Sequence, residues 1–594
     1  MRRLRLLNIL LGLLAAVACL SGGSSSRVAK LDRALFVWMQ HPTASTRVLI
    51  RTRAGAASSV TKRLLNRDHW APMSTPDLIA ADVSLDTLQA AIRDKDVVRI
   101  SSDAMVKSLG SALPQNLLLG TEGLLTPRGT LETPYTGHNI GVAVIDSGVT
   151  SGDGDLGPIT FYDVTEHMKQ GGNYDDYGHG THVSGLIASN GSFSSYLYQG
   201  IAPSVQLIEM KVLDKNGGGY TSDVINAINY VVANRARFHL AIINLSLGHP
   251  IYEPAATDPL VQAVQDAVAS GVVVVVSAGN FGGDLTTHVP AYAGITSPGN
   301  APDAITVGAL DINGTVSRAD DTVAWYSSRG PTWYDGFQKP DLVAPGSHLV
   351  SDVSTASTIY HTYPGGVLSV NGKPFLRLSG TSMSAPVVSG IVAAMLDASR
   401  TNHPGAQLPP HAVKAILQYT AIRVANADTL TQGAGAVNAA GAIALAAAID
   451  PNRPVGAWWL TTGVNTWTTI GGQTLAWGQR VVWGDQIIWG TQIFTNEPAW
   501  GPHVVWGDRV IWGDQIIWGT STVWDGNAAI WADQIIWGTG LLGETTGNTV
   551  TWGSVSANVT ADRVVWGNLQ SLNLAPTALS WGNVERANND LVAK

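Results

Sequence analysis

The stretch IGVAVIDSGV, residues 140–149, decides the fold of this chain. Six small or apolar residues run without polar alternation up to Asp146, where a Ser-Gly turn begins. Such a run is typical of a parallel strand that is buried on both faces of a sheet. Later runs that predict strands of the same kind are VQLIEMKVL (205–213), LAIINLSLG (240–248) and VVVVVSAGN (272–280).

Helical patterns alternate with these strands. They are predicted at residues 181–189, 221–234, 258–270, 382–400 and 410–421. The alternation predicts an α/β domain with a doubly wound parallel sheet, which we assign to residues 113–450. In such a sheet, chemical groups converge where the strands end and the following helices begin.

A small α+β unit is predicted ahead of this sheet, at residues 27–112. RVLIRTR (47–53) indicates a strand, and residues 84–103 indicate a helix followed by a strand. Ser84 is the expected N-cap of that helix. The pattern of this unit alone does not indicate its role.

The first 23 residues, MRRLRLLNILLGLLAAVACLSGG, have the layout of a secretory signal peptide, which we assign to residues 1–18. Their apolar run is shorter than the roughly 20 residues of a membrane span. The prediction is a secreted protein, with lipid anchoring in the envelope through Cys19 as the alternative. Cys19 is the single cysteine, so no intramolecular disulfide is expected.

Composition argues against nucleic-acid binding. The chain has 594 residues, a formal net charge of -8 and a pI of about 5.9. It carries neither a basic stripe nor an RNA-binding set of aromatic residues. Its length predicts several folding units rather than one core.

Residues 451–594 form a region of their own, with 16 of the 20 tryptophans and no lysine before the final residue. A hexapeptide recurs there, as in VVWGDQ (481–486) and IIWGTQ (487–492). Two β-formers, Trp, Gly and a polar pair suit one short strand and a turn, which predicts a β-rich repeat region. The indoles either fill the interior of the repeat, which we favour, or form a surface that binds glycan or the cell envelope.

Four short motifs place chemical groups at strand ends and helix starts. Peptide hydrolysis without a metal needs an activated nucleophile, a base and donors for the oxyanion. Taken singly, each residue also has a structural interpretation as a helix cap or an ordinary turn residue. The four candidates are Asp146, His179 in GHGTHVSG (178–185), Asn280 in SAGN (277–280) and Ser382 in GTSMSAP (380–386).

His182 is a rival to His179 as the base, because it lies three residues further along the same helix face. Histidine, with a pKa near neutrality, is the natural general base. A metal site made of the two histidines is disfavoured, since no Glu lies between them and their spacing is not H-x-x-x-H.

Together these motifs resemble those of the subtilisin-like serine proteases, the subtilases. The family motifs D-[ST]-G, H-G-T-H-V and G-T-S-M-[AS]-x-P appear in the family's order, Asp before His before Ser. The resemblance covers roughly residues 130–445. The matching stretches are 146–148, 179–183 and 380–386, with KPDLVAPG (339–346) as a further signature.

The resemblance implies a role for each matching residue. Ser382 would be the nucleophile, His179 the base and Asp146 the group that orients the imidazole. Asn280 and the backbone N–H of Ser382 would form the oxyanion hole, and His182 would be structural. The chain would then be a serine endopeptidase that needs no cofactor for its chemistry.

A substrate site is implied by the same match. Ser246, Leu247 and Gly248 would pair with the substrate backbone, and Ala278 and Gly279 would border the primary specificity pocket. None of the five carries a charge. This predicts polypeptide substrates and broad specificity with an apolar preference.

Two further family features follow from the resemblance. The α+β unit is similar to the subtilase propeptide, a βαββαβ chaperone and inhibitor, so we expect a self-processing zymogen cut between Val106 and Thr130. Subtilases often bind structural calcium, although no complete oxygen-ligand loop is visible here. The candidate calcium ligands are Asp153, Asp155, Asp175 and Asp176.

The competing hypothesis is an envelope-bound adhesive protein in which the protease domain is only a scaffold. Degenerate proteases usually lose a member of the triad. Here Asp146, His179, Ser382 and also Asn280 are all present, which favours the enzyme.

Overall fold

The computed structural model describes residues 30–65, 68–108, 133–150, 155–166, 168–283, 288–315, 317–452 and 462–483, residue 460, and short strands between 486 and 580. The predicted signal peptide, Cys19 and Asp153 lie outside the described residues.

The N-terminal unit is the predicted α+β fold. Its four-stranded sheet is antiparallel throughout, in the order β2-β3-β1-β4. The Ser84 side chain accepts a hydrogen bond from the Thr87 backbone N–H and thereby caps helix α3, as predicted. The elements of the unit are α1 (Arg33–Trp38), β1 (Thr46–Thr52), α2 (Ala57–Leu64), β2 (His69–Pro72), β3 (Leu78–Val83), α3 (Leu85–Arg93), β4 (Val97–Ser102) and β5 (Met105–Ser108).

The sheet of this unit has two buried faces with different partners. Val48 and Ile50 of β1 join the unit's own core together with Leu88 of α3. Leu49, which points the opposite way, belongs to the core of the large unit. Successive side chains along a strand point to opposite faces of the sheet. One face of this sheet therefore packs against the helices of its own unit, and the other packs against the large unit.

The large unit is built on a mainly parallel sheet. Among the described residues this sheet has nine strands in the order β15-β14-β13-β11-β6-β9-β7-β8, with β16 also paired to β14. Its strands are β6 (Gly141–Asp146), β7 (Ile159–Asp163), β8 (Lys169–Gln170), β9 (Gln206–Lys211), β11 (Leu240–Leu245), β13 (Val273–Ser277), β14 (Ile305–Asp311), β15 (Thr322–Val323) and β16 (Leu342–Pro345).

Both faces of this sheet are covered, which explains the apolar runs. Val142 and Val144 of β6 lie in one core, and Ala143 and Ile145 lie in the other. Helices on both sides shield the strands from water, so no polar alternation is needed. The predicted doubly wound α/β fold is confirmed.

The helices of the large unit match the predicted ones, with shifts of one or two residues at their ends. The main ones are α4 (His179–Ala188), α5 (Thr221–Ala233), α6 (Pro259–Ala269), α8 (Thr381–Asn402), α9 (Pro410–Thr420) and α11 (Ala439–Ala448). Two short helices are α7 (Thr358–Thr362) and α10 (Thr429–Gln432).

Helix α8 is long and apolar enough to cross a membrane by length and composition alone. Its apolar stretch is completely buried inside the protein. Its apolar character therefore reflects its place as the central core helix, which carries Ser382 at its second position.

Smaller strands line the edges of the sheet. Strands β10 and β12 form a three-stranded sheet with β5, and β17 forms one with β19 and β18. These strands are β10 (Gly218–Tyr220), β12 (Leu247–Gly248), β17 (Leu349–Asp352), β18 (Val367–Val370) and β19 (Lys373–Leu378).

The packed unit continues past Asp450, the predicted end of the α/β domain. A hairpin of β20 (Trp467–Ile470) and β21 (Gln473–Ala476) leads to Trp477, which is buried in the main core. Its indole N–H donates to Thr468 Oγ1, and the Gly478 backbone N–H donates to the carbonyl of Ala421. The part of the Trp-rich region around Trp477 thus packs in the main core.

Beyond this hairpin the backbone forms short strands. The units at 516–518 and 534–537 pair in parallel, with Trp518 opposite Trp537. The side chains of this region and the whole of Trp512 lie outside what the structure describes. The β-repeat interpretation and the placement of its indoles stay predictions.

Candidate active site

Asp146 and His179 meet at the carboxyl edge of the sheet. Asp146 is the last residue of β6 and His179 the first of α4, and both are fully buried. His179 Nδ1 lies 2.8 Å from Asp146 Oδ1 and 3.0 Å from Oδ2. This contact assigns the proton of neutral His179 to Nδ1 and leaves Nε2 as the acceptor nitrogen.

The other ring nitrogen of His179 is the unusual atom of the site. Nε2 is buried and has no hydrogen-bond partner among the described residues. A buried polar atom normally finds a partner, so an orphan calls for an explanation. The explanation that fits is that Nε2 is an acceptor kept available for a proton during the reaction.

Ser382 stands at the start of the core helix α8, two residues after Gly380. Its hydroxyl donates to the carbonyl oxygen of Ser246 over 2.9 Å, and the Ser246 hydroxyl donates back to the Ser382 carbonyl over 2.9 Å. These reciprocal bonds attach the helix start to the strand segment predicted to bind substrate. A serine at a helix N-terminus also lies in the positive field of the helix dipole.

Asn280 is oriented by a residue that sequence reasoning did not single out. Its side-chain oxygen accepts from Thr381 N and Thr381 Oγ1, each at 3.0 Å. Thr381 Oγ1 also accepts from the Gly279 backbone N–H at 3.1 Å. With the oxygen assigned in this way, Nδ2 is the donor end of Asn280. The signal for Thr381 was its place directly before Ser382 in GTSMSAP.

The predicted substrate strand is already paired with the chain's own N-terminal unit. Strand β5 lies antiparallel between β10 and β12, with Leu247 opposite Ser108 and Gly248 opposite Lys107. Glycine is needed at Gly248, because a Cβ there would come within 2.7 Å of the Ser297 carbonyl oxygen. Strand β5 thus pairs with the predicted substrate strand in the manner of an added strand.

The two residues predicted to border the specificity pocket are small and carry no charge. Ala278 is fully buried, and Gly279 has a φ of +109°, a conformation that favours glycine. An open hollow of about 560 Å³ lies between the two units, lined by Phe281, Ile295 and Trp333 of the large unit and by Arg33 and Val37 of helix α1.

His182 is held in the core by two backbone carbonyls. Its Nε2 lies 3.1 Å from the Leu349 oxygen and 3.0 Å from the Leu376 oxygen. Burial, together with the charge of His179, lowers the pKa of His182 to about 3. A ring that stays neutral and donates to carbonyls suits the structural role expected for His182.

The predicted calcium ligands are engaged in other bonds. Both oxygens of Asp175 accept hydrogen bonds, and Asp176 lies 2.6 Å from the Lys211 ammonium. Asp155 accepts from Ser189 and Ser192. The described part of the chain holds no cluster of three His, Cys, Asp or Glu side chains that would suit a metal. Asp175 and Asp176 therefore do not fit a calcium site, and calcium binding stays a prediction.

Comparison with known proteins agrees with this geometry. The sequence model of the family described as "Subtilase family" matches residues 137–442, just over half of the chain. The chain belongs to the subtilase family. Serine protease AprX of Bacillus subtilis (strain 168) is 39% identical over 310 residues, which cover 51% of this chain and 66% of that protein. Subtilisin E of the same strain is 33% identical over 307 residues, with the same two coverages.

Solved structures support the fold. Fervidolysin from Fervidobacterium pennivorans, described as a keratinolytic enzyme related to subtilisin, superposes with a TM-score of 0.52 at 23% identity. The match covers 67% of this chain and 61% of fervidolysin. This subtilase spans just under two thirds of the length of the curated relatives named above.

Proposed function

We propose that this subtilase is a secreted serine endopeptidase made as a self-processing precursor. The contact between His179 and Asp146, with Nε2 of His179 unpartnered in the core, carries this proposal. In the reaction, the Ser382 hydroxyl would turn from the Ser246 carbonyl towards His179 Nε2 and attack the scissile carbonyl. His179 would accept the proton and return it to the leaving amine, while Asp146 stabilises the imidazolium.

The oxyanion would be stabilised by two donors. Asn280 presents Nδ2 as its donor end, because its oxygen is held by Thr381. The backbone N–H of Ser382 belongs to the first turn of α8, where N–H groups lack intrahelical partners. Fixed donors of this kind stabilise developing charge without reorganising during the reaction.

Polypeptide substrates would bind as an added strand. Strand β5 supports this mode, since it pairs with β10 on one side and β12 on the other. Backbone pairing does not depend on substrate side chains, which agrees with broad specificity. The wall that the large unit contributes to the hollow, with Phe281, Ile295 and Trp333, is mainly hydrophobic and favours apolar side chains. The opposite wall, in helix α1, would leave with the propeptide.

Residues 27–112 would act as propeptide, inhibitor and folding chaperone. Their βαββαβ order and the pairing of β5 with β12 support this role. Val106, fully buried against the large unit, anchors the strand. We expect the maturation cut between Val106 and Thr130, in the chain that follows the strand paired with β12.

Secretion rests on the N-terminal pattern and on the family, with anchoring through Cys19 as the alternative. The role of the Trp-rich tail as a repeat core, or as a surface for glycan or envelope, likewise rests on its sequence pattern.

Casein hydrolysis by the secreted protein, compared with Ser382→Ala, tests the proposed activity. We expect the variant to lose hydrolysis and to accumulate as the uncut precursor, because the same serine would perform maturation.

A serine-directed phosphonylating reagent should label the wild type once, at Ser382. Hydrolysis retained by the variant would disprove the nucleophile, and a cut variant in a protease-free host would disprove self-processing.

A further inference from the structure

Asp175 lies between the two segments that carry Asp146 and His179. Its side chain is buried, and its carboxylate accepts four hydrogen bonds of 2.7–2.9 Å. Two of the donors are backbone N–H groups and two are hydroxyls. Complete burial raises the pKa of the Asp175 carboxyl, and the four donors act against that rise.

One oxygen of Asp175 connects the two segments. Oδ1 accepts from the Ser147 hydroxyl at 2.9 Å and from the Gly178 backbone N–H at 2.7 Å. Ser147 follows Asp146 and donates its backbone N–H to Asp146 Oδ1 at 2.7 Å. Gly178 directly precedes His179. Oδ1 of Asp175 therefore connects Ser147, the residue after Asp146, with Gly178, the residue before His179.

The other oxygen holds the first turn of helix α4. Oδ2 accepts from Thr181 N at 2.8 Å and from Thr181 Oγ1 at 2.7 Å. The N-cap residue, Gly178, has no side chain to perform this task. An anion at this position also interacts favourably with the helix dipole.

The backbones of the two segments approach each other closely at this point. Gly148 and Asp175 form an isolated antiparallel bridge. A Cβ at Gly180 would lie 2.1 Å from the Gly148 carbonyl oxygen, so only glycine allows this approach. The Gly180 N–H donates to the Ser147 hydroxyl at 2.9 Å, which closes the network.

We infer that Asp175 is a positioning residue for the triad, which sets the distance between Asp146 and His179 by clamping the turn after Asp146 to the start of α4. The inference rests on the proposed function and deepens it. Asp175 touches neither reacting atom. It acts through Ser147, Gly178 and Thr181.

An amide cannot replace this carboxylate. In Asp175→Asn, one terminal atom becomes an NH₂ group and must face either the Gly178 or the Thr181 N–H, and two donors cannot bond to each other. The change also removes a negative charge from the surroundings of His179. Other ionisable groups near this position are Asp146, Tyr177 and Glu209, together with the Lys211 ammonium, which donates to the Ser147 carbonyl and pairs with Asp176.

Steady-state kinetics of the mature enzyme on a short chromogenic peptide test the inference between pH 5 and 9. For Asp175→Asn we expect kcat to fall about 100-fold with KM changed less than about twofold, because misplacing a catalytic group by about 1 Å costs this much. The acid limb of kcat/KM should move to lower pH, since the lost charge stabilised the imidazolium. Active-site titration corrects every rate for the folded fraction.

Asp397→Asn is the matched control. Asp397 also accepts hydrogen bonds from backbone N–H groups, those of Thr136, Gly137 and His138, but it lies 15 residues beyond Ser382 on α8. At 1.5 Å per residue it is roughly 22 Å away. Its variant should lose stability while keeping kcat and the pH profile.

Ser147→Ala covers the case in which Asp175→Asn fails to fold. It removes the two bonds of the Ser147 hydroxyl, to Asp175 Oδ1 and from the Gly180 N–H, but leaves the bonds of Asp175 to Gly178 and Thr181. It should lower kcat about tenfold at unchanged KM. Folded variants with wild-type kcat and an unmoved acid limb would overturn the inference alone. A wild type that shows no hydrolysis would overturn the proposed function, and the inference with it.

Discussion

Glu209 shows how a single buried carboxyl can limit the alkaline stability of this protein. It is fully buried on β9, and the Ser184 hydroxyl donates to its Oε1. Its other oxygen has no hydrogen-bond partner among the described residues. Burial, reinforced by the charges of Asp146 and Asp175, raises the pKa of Glu209 well above its usual value. The folded protein therefore keeps the Glu209 carboxyl neutral to a higher pH than the unfolded chain does.

A neutral carboxyl in the fold gives a pH dependence with a definite sign. The unfolded chain releases the Glu209 proton at the ordinary pKa, so stability is lost as pH rises from there towards the folded pKa. The loss is up to about 1.4 kcal/mol per pH unit. The test compares Glu209→Gln with its parent, both carrying Ser382→Ala. The melting temperature of the variant should rise relative to that of the parent as pH increases from 5 to 9. Glu166→Gln, at an exposed position, is the control, and parallel curves would contradict the expectation.

At the scale of elements, the hairpin β20–β21 belongs to the catalytic unit although its sequence resembles the tail. Trp477 is only 5% exposed and stands edge-on to Tyr419, with ring centroids 6.2 Å apart. Removing a large buried side chain typically costs about 3–5 kcal/mol. A chain that ends at Asp450 leaves the Trp477 site empty.

We therefore expect a chain ending at Trp483 to keep peptide turnover and a chain ending at Asp450 to melt at a clearly lower temperature. Trp477→Ala should reproduce the loss in the full-length chain. Trp467→Ala is the matched control on the same hairpin, because its side chain is 46% exposed. Equal melting temperatures for the two truncated chains would show that the hairpin adds no stability.

At the scale of the whole molecule, the N-terminal unit, the proposed propeptide, is joined to the large unit by a largely buried ion pair. Arg99 of β4 places Nη2 2.7 Å and Nε 2.8 Å from Glu253 Oε2. Glu253 lies in the loop that continues from the substrate strand β12. Burial raises the pKa of Glu253 to about 7, with Asp258 adding to the rise and Arg99 opposing it.

Breaking this pair should loosen inhibition. Truncating one partner of a buried, hydrogen-bonded charge pair costs roughly 2–5 kcal/mol. The inhibition constant of an added Arg99→Gln propeptide on mature enzyme should therefore rise about 30-fold or more. Arg63→Gln is the control, since Arg63 pairs with Asp94 and Asp96 inside the propeptide itself. An unchanged inhibition constant for Arg99→Gln would show that the ion pair between Arg99 and Glu253 does not contribute to inhibition.

The sequence by itself determined the α/β fold, the α+β character of the N-terminal unit and the chain positions of Asp146, His179, Asn280 and Ser382. Local patterns suffice for these features, because strand burial, helix capping and short motifs are written in neighbouring residues. Only the tertiary structure decided that Asp175 clamps the triad segments rather than suiting a metal, and that Trp477 is part of the core. Both depend on contacts between residues far apart in the chain, and a list of residue types cannot tell which donors will surround a carboxylate or which surface an indole will meet.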